Sequence, residues 1–151
     1  MNKRRRICFV LTSRGNYGKL KSIIRAAEKS SRLDTQVVVG GSLILDKYGR
    51  LMDSEITDDI KIDQRVHFLV EGENLLTMAK SAGLAMLEFA SAFDRLEPDI
   101  VVVIADRFEC LPIAMAAAYM NIPVAHLEGG EISGSIDESI RHAITKLAQI
   151  H

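Results

Sequence analysis

The chain has 151 residues, 48% of them apolar and 26% charged, with a formal net charge of −1. That length suits one domain with a proper core, and the balanced charge gives no support to a nucleic-acid partner. Trp is absent and aromatic residues make up 5% of the chain, so no aromatic stacking platform is evident.

In chain order, the opening MNKRRR is a solvated basic start to the first strand. The apolar stretch after it is too short for a signal peptide, and no apolar run approaches membrane-spanning length. Cys8 and Cys110 lie far apart without CxxC or nearby His spacing, which argues against a zinc site or a disulfide framework. A cytoplasmic protein with reduced thiols and no membrane partner is the expectation.

Residues 6–12 form a β-branched, apolar run that predicts a strand. The polar stretch SRGNYG reads as a loop, and Leu20, Ile23, Ile24 and Ala27 then recur at helical spacing. Residues 35–40 predict a second strand closed by Gly40 and Gly41. Residues 42–65 are mixed and charged, with a short helical turn among them, and 66–70 (VHFLV) predict another strand. From Glu73 to Leu96 the apolar residues Leu75, Met78, Ala79, Ala82, Met86, Phe89, Phe93 and Leu96 mark a helix, which Pro98 stops. The run DIVVVI at 99–104 has the character of a parallel strand covered on both faces. An Ala-rich helix from Glu109 to Met120 follows, with Pro112 tolerated in its first turn. Ile122 to His126 predict the last strand. The loop EGGEISGS leads to a final helix from about Asp137. Strands alternating with helices imply an α/β fold with a doubly wound parallel sheet, Rossmann-like, over residues 1–151.

In open sheets of this kind, ligands bind beyond the carboxyl ends of the strands. That rule collects Arg14, Asp106, Glu128, Ser135, Asp137 and Glu138 on one rim. Arg14, beside a glycine and ahead of a helix, suits an anion; a solvated Arg in a capping loop is the competing reading. Carboxylates gathered in a cleft can divide acid and base roles, which is what moving a proton from carbon requires. Asp137 and Glu138 have an alternative as ordinary helix N-terminal charge. Asp106 closes a buried strand, where an ionisable group must be paired or used; a salt bridge to Arg107 or Arg141 is the other explanation. His126 ends an apolar strand, where a hydrogen-bonded structural role competes with a functional one. His67 and His142 read as structural. Neither metal-ligand spacing nor a nucleophile elbow occurs, so no metal and no cofactor is expected.

The string AHLEGGEISGSIDESIRHAITKLAQIH, the Asp106-Arg107-Phe108-Glu109 turn, LTSRGNYGKLKSII, Tyr48-Gly49-Arg50 and LEPDIVVV together resemble the hydrolysing UDP-N-acetylglucosamine 2-epimerases of sialic acid biosynthesis. The resemblance covers nearly the whole chain. It implies the N-terminal half of a two-domain fold like that of the B-type glycosyltransferases, the absent C-terminal domain holding most UDP contacts, so that these residues alone would not catalyse. It implies a UDP-sugar substrate, UDP-N-acetylglucosamine or a related UDP-diacetamido sugar, and a homodimer or homotetramer. The implied reaction eliminates UDP and then hydrates the intermediate. By motif position, Asp106, Glu128, Asp137 and Glu138 fall on residues of the proton traffic. Arg14 falls on the phosphate-side Arg, and Ser135 and Arg141 on residues that shape the site; His126 is placed with these on the substrate side.

The sequence departs from the family pattern at Leu43, where a His is usual, at Ile104-Ala105 in place of His-Gly, at Asn16 in place of a carboxylate, and at Gln149 in place of a frequent His. Two other readings therefore stand beside the first: a nucleotide-sugar-binding or assembly protein without catalysis, and a non-hydrolysing UDP-N-acetylglucosamine 2-epimerase.

Overall fold

Alternation of side chains along the strands divides the core into two layers. Along the first strand, Cys8 and Val10 pack on one face of the sheet and Phe9 and Leu11 on the other. Val101 and Val103 oppose Val102 and Ile104 in the same way. Both faces are apolar, so both must be covered, and a parallel sheet between helical layers satisfies this.

The computed structural model describes residues 3–48 and 60–151. Its elements are β1 (Arg5–Leu11), α1 (Arg14–Glu28), β2 (Leu33–Gly40), β3 (Gln64–Val66), α2 (Leu75–Leu96), β4 (Ile100–Ile104), α3 (Cys110–Tyr119), β5 (Val124–Leu127) and α4 (Ile136–Leu147). The sheet is parallel throughout, in the order β3-β2-β1-β4-β5. Winding runs outward from β1 through β2 to β3, then reverses to β4 and β5, giving the doubly wound, Rossmann-like arrangement. Tyr17, Leu20 and Ile24 of α1 cover one face. Ala85, Phe89 and Phe93 of α2, Ile113 and Ala117 of α3 and Ile144 of α4 cover the other. The alanines of α3 let it lie close to the sheet and its neighbours.

Four local expectations are corrected. SRGNYG is not a loop: Ser13 caps α1 by accepting from the Asn16 N–H at 3.2 Å, and Arg14 is the first helical residue. The strand predicted at 66–70 pairs instead over Gln64–Val66, against Val38–Gly40. Phe68 leaves the ladder to fill the core at 3% exposure, and its ring would lie 3.0 Å from a Cβ on Gly40. The helix expected from Glu73 starts at Leu75, with Asn74 and Thr77 forming a reciprocal cap. Its first turns are not core: Leu75 is 80% exposed, and the buried stripe begins at Ser81. The last strand runs Val124–Leu127, with the final residues beside it, since His126 N–H donates to the Ile150 carbonyl. Within 42–65 the described part holds two short 3-10 turns, Gly41–Ile44 and Asp46–Tyr48; residues 49–59 of that stretch, Gly49 and Arg50 among them, lie outside the described residues. No described helix is long and apolar enough to cross a membrane.

Candidate active site

All five strands end at the same edge, so the loops after β1, β2, β4 and β5 share one rim. The loops after β1 and β2 are tied together at Thr12, which is 1% exposed. Its N–H and hydroxyl donate to Asn16 Oδ1 at 3.2 and 2.8 Å. Its carbonyl accepts from the Leu43 N–H at 3.3 Å and the Ser42 hydroxyl at 3.1 Å. The side chain at position 16 thus serves the loop as an acceptor, a task an amide performs as well as a carboxylate.

Asp106 follows β4 and is held from below. Arg141, 1% exposed, donates to Asp106 Oδ2 through Nε at 3.0 Å and again through Nη2. The same guanidinium donates to the Ser133 hydroxyl at 2.9 Å and to the Glu131 carbonyl. Four of its five N–H donors are therefore spent on the scaffold: one guanidinium fixes Asp106 and the Glu131–Ser133 loop together. Asp106 Oδ1 has no partner among the described residues, and its side chain is a quarter exposed. The result is a carboxylate of fixed orientation with one oxygen open to the rim.

Two residues that are not glycine take left-handed backbone here, Ala105 at φ 62° and Glu128 at φ 59°. Each costs about 1–2 kcal/mol in backbone energy. They sit at the ends of adjacent strands, joined by the Ala105 N–H donating to the Leu127 carbonyl at 2.9 Å. His126 braces the pair from within. It is 1% exposed, and its Nε2 lies 2.8 Å from the Ala105 carbonyl and its Nδ1 3.0 Å from Thr145 Oγ1. A carbonyl only accepts, so Nε2 carries the proton and Nδ1 accepts from the threonine. Burial holds His126 below its ordinary pKa, so the ring is neutral. Both nitrogens are occupied beneath the rim, which leaves His126 facing the scaffold rather than a ligand. Gly129 follows because nothing larger fits: a Cβ there would lie 2.8 Å from Thr145 Oγ1 and 3.0 Å from His126 Nδ1.

Glu128 Oε2 accepts from Lys19 of α1. That hydrogen bond, opposed by slight desolvation and aided by the charges of Glu128, Glu131 and Asp106, raises the Lys19 pKa. The ammonium therefore lies in electrostatic reach of three rim carboxylates. Asp137 and Glu138 occupy the first turn of α4. Ser135 caps this helix through the Asp137 N–H at 3.2 Å, and its hydroxyl donates to Asp137 Oδ2 at 3.2 Å. Glu138 Oε2 accepts from the Gly134 N–H at 2.7 Å. Asp106 and Glu128 thus lie in electrostatic reach of Lys19, and Asp137 of Arg107, while Asp137, Glu138 and Ser135 are all engaged in the helix start.

Beside the carboxylates lies a cavity of about 1130 Å³. Arg14, Lys47 and Arg107, together with Asp46, Glu71 and Glu73, stand on its polar side, and Leu43, Leu69, Leu75, Met78 and Phe108 form its apolar walls. The exposed first turns of α2 are one of those walls. None of Asp106, Glu128 or Asp137 lines it, so these carboxylates and the two arginines occupy neighbouring stretches of one rim. Among the described residues no group of His, Cys, Asp and Glu could hold a metal ion. Cys8 and Cys110 are buried with raised pKa values, dominated by desolvation, and are inert thiols.

Sequence reasoning passed over Lys19 and did not single out Arg107 as a cavity cation. Lys19 meets Glu128 across 109 positions of sequence, a contact that only the strand order creates. Arg107 was adjacent to a chosen residue, but its direction depends on its partner, Glu109.

Comparison with known proteins adds to this geometry. The sequence model described as UDP-N-acetylglucosamine 2-epimerase matches residues 25–151. A Campylobacter jejuni protein named GDP/UDP-N,N'-diacetylbacillosamine 2-epimerase (hydrolyzing) is 34% identical over 98% of this chain and 38% of its own length. A Legionella pneumophila protein named UDP-N,N'-diacetylbacillosamine 2-epimerase (hydrolyzing) is 35% identical over 97% of this chain and 39% of its own. The crystal structure of a Neisseria meningitidis UDP-GlcNAc 2-epimerase bound to UDP-GlcNAc superimposes with a TM-score of 0.81 at 19% identity, covering 97% of this chain and 39% of that one. The chain spans about two fifths of the length of the curated relatives it matches.

Proposed function

The chain belongs to the UDP-N-acetylglucosamine 2-epimerase family, and from that membership and the rim geometry we propose that it forms the proton-transfer side of a hydrolysing UDP-sugar 2-epimerase. The substrate is a UDP-activated 2-acetamido sugar, UDP-N-acetylglucosamine or a UDP-diacetamido relative. The relatives named hydrolysing, at 34% and 35% identity, favour the hydrolysing branch over the non-hydrolysing one. In this reading the chain is the N-terminal of two domains, and the second domain supplies the remaining nucleotide contacts.

The observation that carries the proposal is Asp106, pinned through Oδ2 by a buried guanidinium with Oδ1 left open. The reaction needs a fixed base and a fixed acid. One carboxylate takes the proton from sugar C2 while the C1–O bond to UDP breaks and the C1–C2 double bond forms. Water then adds its oxygen to C1, and a proton returns to C2 on the opposite face, so the two proton transfers use different groups. Asp106, Glu128 and Asp137 are the groups available for them. A positioned acid or base of this kind contributes about a hundred- to ten-thousand-fold. Arg14 and Arg107 are assigned to the departing diphosphate, whose charge grows as the bond breaks. Arg141, His126, Ser135 and Glu138 are assigned to holding the rim.

The test is incubation of the full-length protein in D2O with UDP-N-acetylglucosamine and, separately, a UDP-diacetamido-trideoxy sugar. Free UDP together with an epimerised free sugar carrying deuterium at C2 supports the proposal. An intact epimerised UDP-sugar would assign the non-hydrolysing branch. Binding without exchange or UDP release for either sugar would make the protein a nucleotide-sugar binder, the reading that the changes at Leu43, Ile104 and Asn16 keep in view.

A further inference from the structure

The two arginine–carboxylate pairs beneath and beside the rim are built differently. Arg141 spends Nε, Nη1 and Nη2 on protein oxygens. Arg107 spends only Nε, which donates to Glu109 Oε1 at 2.6 Å. Its two Nη groups have no partner among the described residues, its side chain is 43% exposed, and it lines the cavity.

Glu109 is the less expected member. Its side chain is 1% exposed, and Oε2 is buried with no hydrogen-bond partner. It makes no side-chain cap to α3, although it stands at the capping position. A buried carboxylate that uses half of its acceptor capacity is a poor device for stability, since a well-packed apolar residue serves as well or better. Its single partner is Arg107. A guanidinium is planar and rigid, so fixing Nε fixes the direction of the terminal NH2 pair.

We propose that Glu109 is a positioning residue: it holds Arg107 by Nε, so that both terminal NH2 groups form a preset fork for the diphosphate of the nucleotide sugar. This rests on the UDP-sugar reading above. Unheld, a long Arg side chain would lose rotamer freedom each time ligand binds; held, it has already lost it. The arrangement also explains why the carboxylate is buried. An exposed one would compete with the diphosphate for the Nη groups.

The test compares binding of UDP and of uridine to the full-length protein, by calorimetry for UDP and by competition for uridine. Glu109→Gln keeps the shape and loses the charge. It should weaken UDP about tenfold, the scale of one charge-assisted contact, while uridine changes less than about twofold. In an Arg107→Ala background, Glu109→Gln should add almost nothing, because the two act through one contact. Unchanged UDP affinity in Glu109→Gln where Arg107→Ala weakens it, or additive losses in the double variant, would overturn the proposal. Equal weakening of UDP and uridine would also overturn it, as the mark of a purely structural role. Failure of the unaltered protein to bind UDP would remove the UDP-sugar reading, and this proposal with it. Should Glu109→Gln not fold, the Arg107 Nε–H resonance of the unaltered protein decides. Protection from solvent exchange before UDP is added, with a shift on its addition, supports the proposal; rapid exchange overturns it.

Discussion

Replacing Arg141 by Met removes the guanidinium while keeping much of the side chain's apolar volume, and the cost can be worked from its contacts. Four hydrogen bonds go: two to Asp106 Oδ2, one to Ser133 Oγ and one to the Glu131 carbonyl. Breaking a buried ion pair by removing one partner costs about 3–5 kcal/mol, because the remaining charge is left uncompensated. Asp106 is a quarter exposed, so water recovers part of that, and the expected loss is about 2–3 kcal/mol. With a urea m-value of about 2 kcal/mol/M, the unfolding midpoint should fall by about 1–1.5 M without a change in slope. Arg141→Lys retains the charge but not the fork, and should recover roughly half of the loss. A midpoint shift below about 0.3 M for Arg141→Met would refute the reasoning, since it would mean that the guanidinium is solvated and fixes nothing.

Three other substitutions probe the bracing beneath the rim. Gly129→Ala drives a methyl against Thr145 and His126 and should destabilise by about 1–3 kcal/mol, measured by urea unfolding, with Gly130→Ala, where no atom lies within 4 Å of a Cβ, as the near-neutral control. Ala105→Gly relieves the left-handed strain at φ 62° but adds freedom to the unfolded chain. With about 1–2 kcal/mol gained and about 0.4–1 lost, the net should be a stabilisation of about 0.8 kcal/mol by the same measurement. His126 has its pKa lowered from 6.5 by burial, more than its bond to Ala105 raises it. The unfolded chain thus takes up a proton near pH 6.5 while the folded one resists until lower pH. Stability from this group is full above pH 6.5 and drains as pH falls towards the folded pKa. Melting temperatures of wild type and His126→Gln between pH 5 and 7.5 should therefore differ most at the upper end and converge on acidification.

Much of the fold is legible in the sequence because its signals are local. The β-branched runs of β1, β2 and β4 are apolar on both faces, and Phe89 and Phe93 fix the buried side of α2. The misplacements share a physical cause in long-range contact. Gln64 and Arg65 have no strand-like pattern and are recruited by the free edge of β2, while the more apolar Phe68 beyond them is drawn into the core. Arg14 looked like a loop residue because two glycines follow within four positions, but Ser13 supplies a cap strong enough to begin the helix there. Leu75 and Met78 keep the helical spacing yet overhang a cavity, which periodicity cannot distinguish from a core. At the rim, the rule about strand ends selected Arg14, Asp106, Glu128, Ser135, Asp137 and Glu138 as candidates. It could not say that Arg141 and His126 turn inward, or that Arg107 turns outward. Those directions are set by Thr145, Ser133 and Glu109, whose importance appears only once the helices are placed on the sheet.

The measurement that bears most directly on the proposed proton-transfer role of Asp106 is made on Asp106→Asn in the full-length protein. UDP binding, C2 deuterium incorporation and UDP release are followed in D2O, below the onset of unfolding. An amide keeps an acceptor for Arg141 but cannot take a proton from carbon. UDP affinity within about threefold of wild type, with exchange and UDP release reduced by a hundredfold or more, is the predicted result. Wild-type exchange in a folded Asp106→Asn protein would contradict the account.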